Sequence, residues 1–284
     1  MDHAARPYRS VLYIPGSKER ALEKAKTLPV DAIIFDLEDA VAIEEKENAR
    51  ALLAETLKAG DYGIRARIVR VNGLDTDWGR DDIAAFVGAD IDAILIPKVG
   101  SAADVQAVAD LIPDVPLWAM METPQGMLNA AEIAAHPRMA GFIMGTNDLA
   151  KELKCRFRAD RLPMLTSLQL CLLAARAEGI VAVDGVYNAF KDEDGLKAEC
   201  EQGRDMGFDG KTLIHPAQVE ITNAAYAPTD DEIDLARRQI EAFEEAEKAG
   251  QGVAVVDGKI VENLHVATAR EILAKAAAIA ALSA

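Results

Sequence analysis

The feature that most constrains this chain is a repeat of short apolar runs. Val11–Pro15, Asp31–Leu37, Ala66–Val71, Ala93–Val99, Pro116–Met121, Gly141–Gly145, Ile180–Val183 and Lys211–Ile214 recur at intervals of roughly 25–35 residues. Most are rich in Val, Ile, Leu or Met and close on Gly, Pro or a charged side chain, the pattern of a strand buried on both faces. Helical patterns separate them: Lys18–Thr27, which Ser17 is placed to cap, then Glu44–Leu57, Arg80–Phe86, Ala102–Leu111, Gly126–Ala135, Ser167–Ala177 and Lys191–Met206. A polar excursion over Lys151–Pro163 interrupts the rhythm. Eight such runs predict an α/β fold closed as a TIM (β/α)8 barrel. A doubly wound open sheet meets the same alternation. The barrel is preferred because polar side chains follow nearly every strand, whereas an open sheet gathers them at one switch point.

The repeat is complete near residue 228, so 1–228 is expected to be the barrel and 229–284 an extension. Asp230–Lys248 is a charged helix ended by Gly250. Val253–Val256 and Lys259–Val261 flank Asp257-Gly258, a type I′ hairpin signal, and Leu264–Leu282 is an alanine-rich helix. This helix–hairpin–helix is expected to fold over the barrel mouth or dock on a neighbouring subunit.

Two of the runs end in acids. Trp118–Met120 leads into Glu122, and Phe142–Met144 leads into Asp148. Carboxylates at the C-terminal ends of parallel strands point into a barrel mouth, where active sites of this class lie, and two hard oxygen donors there suit Mg²⁺. The same acids would equally serve to cap the helices that follow. Arg70, at the end of the third run, can clamp a carboxylate or enolate oxygen beside a metal, or pair internally with Asp36, Glu38 or Asp39; the two roles are compatible. Lys18, Arg20 and Lys24 follow the first run and together could bind phosphates, although each alone reads as a solvated helix residue. His215-Pro216 follows the eighth run, and Cys171, between Leu170 and Leu172, reads as core.

Charge and cysteine content exclude other classes. A formal net charge of −16 repels nucleic acid, so an anionic ligand must rely on local basic residues. Cys155, Cys171 and Cys200 form no metal or redox spacing and suit reduced thiols. Met1–Ser10 is polar, and no apolar run reaches the length of a membrane helix. The expectation is a soluble, cytoplasmic protein without nucleic-acid or membrane partners.

Taken as a set, several motifs resemble one family. They are Arg9–Ser17, Phe35–Val41 with Lys46 and Arg50, Val69–Asn72, Ile96-Pro97-Lys98, Met121–Gly126, Gly145–Leu149 and Leu213–Pro216. In order and along nearly the whole chain, they are similar to the citrate lyase beta-subunit-like (HpcH/HpaI-type) group, which includes malyl-CoA lyases and malyl-CoA thioesterases. The resemblance implies a TIM barrel with a C-terminal extension, assembled as a homotrimer or homohexamer. It implies that Glu122 and Asp148 hold Mg²⁺, with Mn²⁺ as a possible substitute, and that Arg70 stabilises an enolate oxygen. Asp36, Glu38 and Asp39 would set the acidic surroundings of that arginine. Tyr13, Lys18 and Lys24 match positions that contact coenzyme A, and His215 and Pro216 would lie near its nucleotide. The implied substrate is a short β-hydroxyacyl-CoA such as (S)-malyl-CoA, undergoing either reversible Claisen-type cleavage to acetyl-CoA and glyoxylate or thioester hydrolysis. A citrate-lyase-type subunit acting on an acyl-carrier-protein thioester within a complex is the alternative, and a non-catalytic binding barrel is a third.

One position departs from the family pattern. The appended hairpin usually ends Met-Ile-Asp, with the Asp offered to a neighbouring subunit as an acid/base. Here Ile260-Val261-Glu262 stands in its place. Glutamate has a similar intrinsic pKa but is one methylene longer, and proton transfer needs reach of about 3 Å. The resemblance implies Glu262 as the catalytic acid/base of this chain provided the hairpin shifts to fit the longer side chain; hydrolysis by water is the other outcome, and an ordinary exposed acid before the last helix is the alternative reading.

Overall fold

The computed structural model describes residues 6–282. Tyr8–Tyr226 form one compact unit, and the chain from Ala227 onward belongs to a second. In the first, eight parallel strands close into a barrel in sequence order. They are β1 (Ser10–Pro15), β2 (Ala32–Asp36), β3 (Ala66–Arg70), β4 (Ala93–Ile96), β5 (Leu117–Met121), β6 (Met139–Met144), β7 (Val181–Asp184) and β8 (Gly210–Leu213). Closure is made by Ser10, Val11 and Leu12 of β1 pairing with Lys211, Thr212 and Leu213 of β8. The barrel, rather than the open sheet, is correct.

Side chains alternate along each strand, so two apolar layers form. Val11, Ile34, Ile68, Leu95, Trp118 and Ile143 pack together inside the barrel. Leu12, Ile33, Phe35, Val69, Ile94 and Phe142 join the layer under the helices. Asp36 and Arg70 share the parity of Ile34 and Ile68, so the inward face turns polar at the top of the strands. Register then decides which polar groups meet. Asp36 pairs with Arg70 across β2 and β3, and Met121 with Met144 across β5 and β6.

The helices are α1 (Glu19–Ala25), α2 (Lys46–Ala59), α3 (Gly79–Ala85), α4 (Ala102–Ala109), α5 (Pro124–Leu128), α6 (Ala130–Ala134), α7 (Thr146–Leu153), α8 (Leu165–Glu178), α9 (Glu193–Met206) and α10 (Val219–Tyr226). Four details differ from the sequence reading. Ser17 does not cap α1: the Lys18 N–H bonds back to the Pro15 carbonyl, which leaves Ser17 inside a turn and Lys18 at the cap position without a side-chain bond. The helix expected at Gly126–Ala135 begins earlier, at Pro124 under a Thr123 cap, and breaks at Asn129 into two short pieces. The sixth strand leads directly into α7, which takes in the first three residues of the expected polar excursion, Lys151–Leu153. A further helix, α10, follows β8. The excursion is held down by Arg161, whose guanidinium meets both Asp184 oxygens at 2.7 Å at the end of β7.

The second unit contains α11 (Asp230–Lys248), β9 (Ala254–Val256), β10 (Lys259–Val261) and α12 (Asn263–Leu282). Thr229 and Glu232 form a reciprocal cap at the start of α11. Asp257 and Gly258 both adopt positive φ, 50° and 75°, as a type I′ turn requires. Arg238 on α11 bonds both Asp257 oxygens at 2.9 Å and so ties the turn to the helix. Phe243, Val256, Val261 and Val266 form the core of this unit. Among the described residues, no helix is long and apolar enough to cross a membrane.

Candidate active site

The C-terminal mouth of the barrel holds a cavity of about 290 Å³, lined among others by Tyr13, Asp36, Arg70, Met120, Glu122 and Asp148. Arg70 ends β3 and is 6% exposed. Its Nε and Nη2 donate to the two Asp36 oxygens at 2.7 and 2.6 Å, a fork-on-carboxylate pair that fixes the guanidinium plane. Nη1 lies 2.8 Å from Glu38 Oε2 and 3.5 Å from Asp39 Oδ2. The Tyr13 ring sits 5.0 Å from the guanidinium carbon. Burial, the largest single influence, would lower the pKa of Arg70, but the Asp36 carboxylate together with Tyr13 and Glu38 keeps it well above its ordinary value. Asp36 is itself oriented by backbone N–H groups of Glu38 and Ala40 at 2.9 and 3.1 Å.

Glu122, just past β5, is 1% exposed. Its Oε1 accepts the Lys98 backbone N–H at 2.8 Å; among the described residues no donor engages Oε2. Burial pushes its carboxyl up to about 7, with the nearby Glu38 adding to the rise and the Lys98 N–H opposing it. Gly145 continues the ladder from β6 through its N–H on the Met121 carbonyl at 2.9 Å. A Cβ at this position would fall inside 3.0 Å of the Glu122 carboxylate, so the missing side chain is what leaves room for that group. Asp148 occupies the third position of α7, where the first-turn N–H groups favour an anion, and it is half-buried on the wall shared with Glu122.

These features fit a hard divalent cation. Glu122, just past β5, and Asp148, in the first turn of α7, line one cavity, and Glu122 has an oxygen free of protein donors and is destabilised as an anion by burial. Among the described residues no cluster of three or more acidic, His or Cys groups is arranged for a metal. An Mg²⁺ ion held by Glu122 and Asp148 would keep several positions for water and substrate.

Of the other residues singled out on the barrel, Lys18, Lys24, His215 and Pro216 are not among those lining this cavity. Lys18 and Lys24 are solvent-exposed at the two ends of α1. His215 stacks on Phe190, ring centroids 4.6 Å apart, and its Nδ1 accepts the Ala217 N–H as Pro216 opens the next turn. Glu262 belongs to the second unit, immediately before α12; it is exposed, and its backbone N–H donates to His265 Nδ1 at 3.0 Å. Tyr13 does line the cavity, with its hydroxyl donating to the Met120 sulfur at 3.3 Å and its pKa raised by burial. Lys98, part of the Ile96-Pro97-Lys98 motif, carries no role from sequence alone. It joins the two halves of the site, because its Nζ donates to Glu38 Oε1 at 2.5 Å while its N–H holds Glu122. The only sequence signal for it is a lysine two residues past a strand end, after proline.

A closed parallel barrel with an anchored arginine and paired acids at its mouth is the arrangement of a TIM-barrel enzyme. The chain belongs to the HpcH/HpaI aldolase/citrate lyase family, whose model matches residues 9–216. A model for C–C bond lyases of the TIM-barrel fold matches residues 160–280. The chain is 75% identical to a (3S)-malyl-CoA thioesterase of Cereibacter sphaeroides over all of both chains. It is 38% identical to the citrate lyase subunit beta of Leuconostoc mesenteroides subsp. cremoris, covering 93% of this chain and 92% of that one. The crystal structure of CitE from Mycobacterium tuberculosis in complex with magnesium, acetoacetate and coenzyme A superimposes with a TM-score of 0.80 at 30% identity, over 97% of this chain and 99% of that one. The protein is therefore an enzyme of the citrate-lyase-β (CitE-like) type, not a non-catalytic binding barrel.

Proposed function

We propose that the protein hydrolyses a short β-hydroxyacyl-CoA, (3S)-malyl-CoA being the best candidate, to the free hydroxy acid and coenzyme A. The observation that carries the reading is the Arg70 guanidinium, held flat by Asp36 and facing the same cavity as Glu122 and Asp148. Full-length identity of 75% to a (3S)-malyl-CoA thioesterase supports the choice of substrate. Magnesium and coenzyme A in the M. tuberculosis CitE complex support the choice of cofactor.

Glu122 and Asp148 would hold Mg²⁺. When bound, the ion supplies Lewis-acid polarisation to the substrate's carboxylate and hydroxyl oxygens. Arg70 stabilises the negative charge that builds on the thioester oxygen, whether water attacks the carbonyl or a C–C bond breaks to an enolate. Asp36 and Glu38 keep that guanidinium oriented, so little reorganisation is needed when charge develops. Tyr13, Lys18, Lys24, His215 and Pro216 are assigned to the coenzyme A portion. Glu262, offered from the second unit of a neighbouring copy in a trimer or hexamer, takes the proton of the attacking water; the C–S bond then breaks and the thiolate is protonated. Three free cysteines accord with a cytoplasmic setting.

The test is product analysis of the purified chain with (3S)-malyl-CoA and Mg²⁺. Malate and free thiol in equal amounts, without glyoxylate, are expected. Acetyl-CoA with glyoxylate would replace hydrolysis by C–C cleavage. The citrate lyase relative motivates a second reading, a subunit acting on an acyl-carrier-protein thioester; turnover only of that thioester would establish it and remove the first.

A further inference from the structure

We infer that Lys98 is a positioning residue with two separable arms, its backbone N–H setting the metal-facing orientation of Glu122 and its ammonium setting Arg70 through Glu38. This deepens the proposed function and rests on the Mg²⁺ reading of Glu122.

The chain turns sharply after β4. Lys98 has φ of +50°, a region that L side chains rarely adopt and that persists where surrounding contacts over-determine it. That turn aims its N–H at Glu122 Oε1 across 2.8 Å, which commits one carboxylate oxygen and leaves Oε2 toward Gly145 and the cavity. The ammonium bonds a different carboxylate, that of Glu38. It meets Glu38 Oε1 at 2.5 Å, although about half of the Lys98 side chain (49%) is exposed. Glu38 thereby receives one cation on each oxygen, Lys98 on Oε1 and Arg70 on Oε2. With the Lys98 ammonium gone, Oε1 of this 9%-exposed acid has no cation, and the carboxylate is free to rotate onto the Arg70 fork. The two hydrogen bonds run to different residues, Glu122 and Glu38, and the ammonium charge reaches Glu122 without a bond, so different substitutions separate the two bonds.

Lys98→Gly removes the ammonium, keeps the N–H and suits positive φ. Lys98→Val removes the ammonium and resists positive φ, so the N–H also moves. Lys98→Arg keeps a cation on Glu38. Mg²⁺ affinity is measured by calorimetry without substrate, kcat and KM with malyl-CoA at saturating Mg²⁺, and crystal structures are solved for the wild type and Lys98→Gly. Lys98→Gly is expected to hold Mg²⁺ within about twofold of wild type while kcat falls about tenfold or more, with Arg restoring most of it. Lys98→Val is expected to weaken Mg²⁺ by about tenfold in addition. In the Gly variant the residue-98 N–H remains on Glu122, while Glu38 and Arg70 are turned.

Wild-type kcat in Lys98→Gly, unmoved Glu38 and Arg70 in its structure, or a loss of Mg²⁺ equal to that of Lys98→Val would each overturn the assignment. Absence of both Mg²⁺ binding and malyl-CoA turnover in the wild type is a different failure. It defeats the functional reading, and the two crystal structures then decide the positioning role by the same geometric criteria.

Discussion

Arg70 and Asp36 are neighbours in register on β3 and β2, and the fork of one meets both oxygens of the other at 2.7 and 2.6 Å. Both groups are nearly buried, so each depends on the other for compensation of its charge. Arg70→Lys keeps the charge but not the planar fork, because an ammonium cannot span both oxygens and still face the cavity. The variant is expected to fold, with kcat reduced by about 10²–10³ and KM changed far less. Comparable losses in KM and kcat would instead mark Arg70 as a ground-state binding group.

Glu122 gives a pH signature in the metal-free protein. Its carboxyl is raised by burial to about 7, against about 4.3 in an unfolded chain. Below the lower value both states hold the proton, and the neutral acid is buried without penalty. Between the two values the unfolded state ionises while the folded state does not, so the stability contributed by this group is lost as pH rises toward 7. The loss is on the order of 3 kcal/mol. Urea unfolding in EDTA should show Glu122→Gln gaining stability relative to wild type across this window. Added Mg²⁺ should then stabilise the wild type at pH 8 and leave the variant unchanged. Parallel stability curves for the two proteins would refute the burial argument.

Asp148→Ala tests the other acid directly. Calorimetry should show Mg²⁺ binding weakened by at least about tenfold, since one of the two proposed protein oxygen ligands is removed. The fold should be little affected, because Asp148 is half-buried and makes no ion pair among the described residues. Unchanged Mg²⁺ affinity would move the metal away from this pair.

The barrel was legible because strand burial on both faces writes itself as apolar runs, repeated eight times, and Glu122, Asp148 and Arg70 stood at their ends. The Asp257-Gly258 turn was legible for a similar reason, since few residue pairs tolerate two positive φ values. Short helices were less visible. Thr146-Asn147-Asp148 carries turn-forming residues, so α7 hid behind a loop signature although Leu149 and Ala150 pack its inner face. The Ser17 cap was a plausible local choice, overridden by a turn that the Pro15 carbonyl completes. Lys98 was invisible as a site residue because its position depends on a positive φ and on register between non-adjacent loops. Neither leaves a mark in residue type.

Gly145 tests how tightly the acid pocket is shaped. Its N–H is fixed to Met121, so the backbone cannot retreat when a Cβ is added, and Glu122 must turn away. Gly145→Ala is expected to lose about 1–3 kcal/mol of stability and to weaken Mg²⁺ by more than about tenfold. Wild-type affinity in a folded variant would show that Glu122 has room the geometry denies it.

Glu262 can be tested for action between subunits. It is exposed, its backbone N–H donates to His265 Nδ1, and among the described residues no hydrogen bond or ion pair engages its side chain. Glu262→Gln should abolish turnover while coenzyme A still binds, and Glu262→Asp should retain part of the activity if a one-methylene change is within reach. Neither Arg70→Lys nor Glu262→Gln should have substantial activity alone. Co-refolded in equal amounts, they should form mixed oligomers in which, on the proposed shared site, an intact barrel mouth sits beside a partner's intact Glu262. Random assembly makes roughly a quarter of the sites complete, so activity should return to about that share of wild type. If Glu262 served the mouth of its own chain, no mixed oligomer would contain a complete site, and the mixture would stay as inactive as its components.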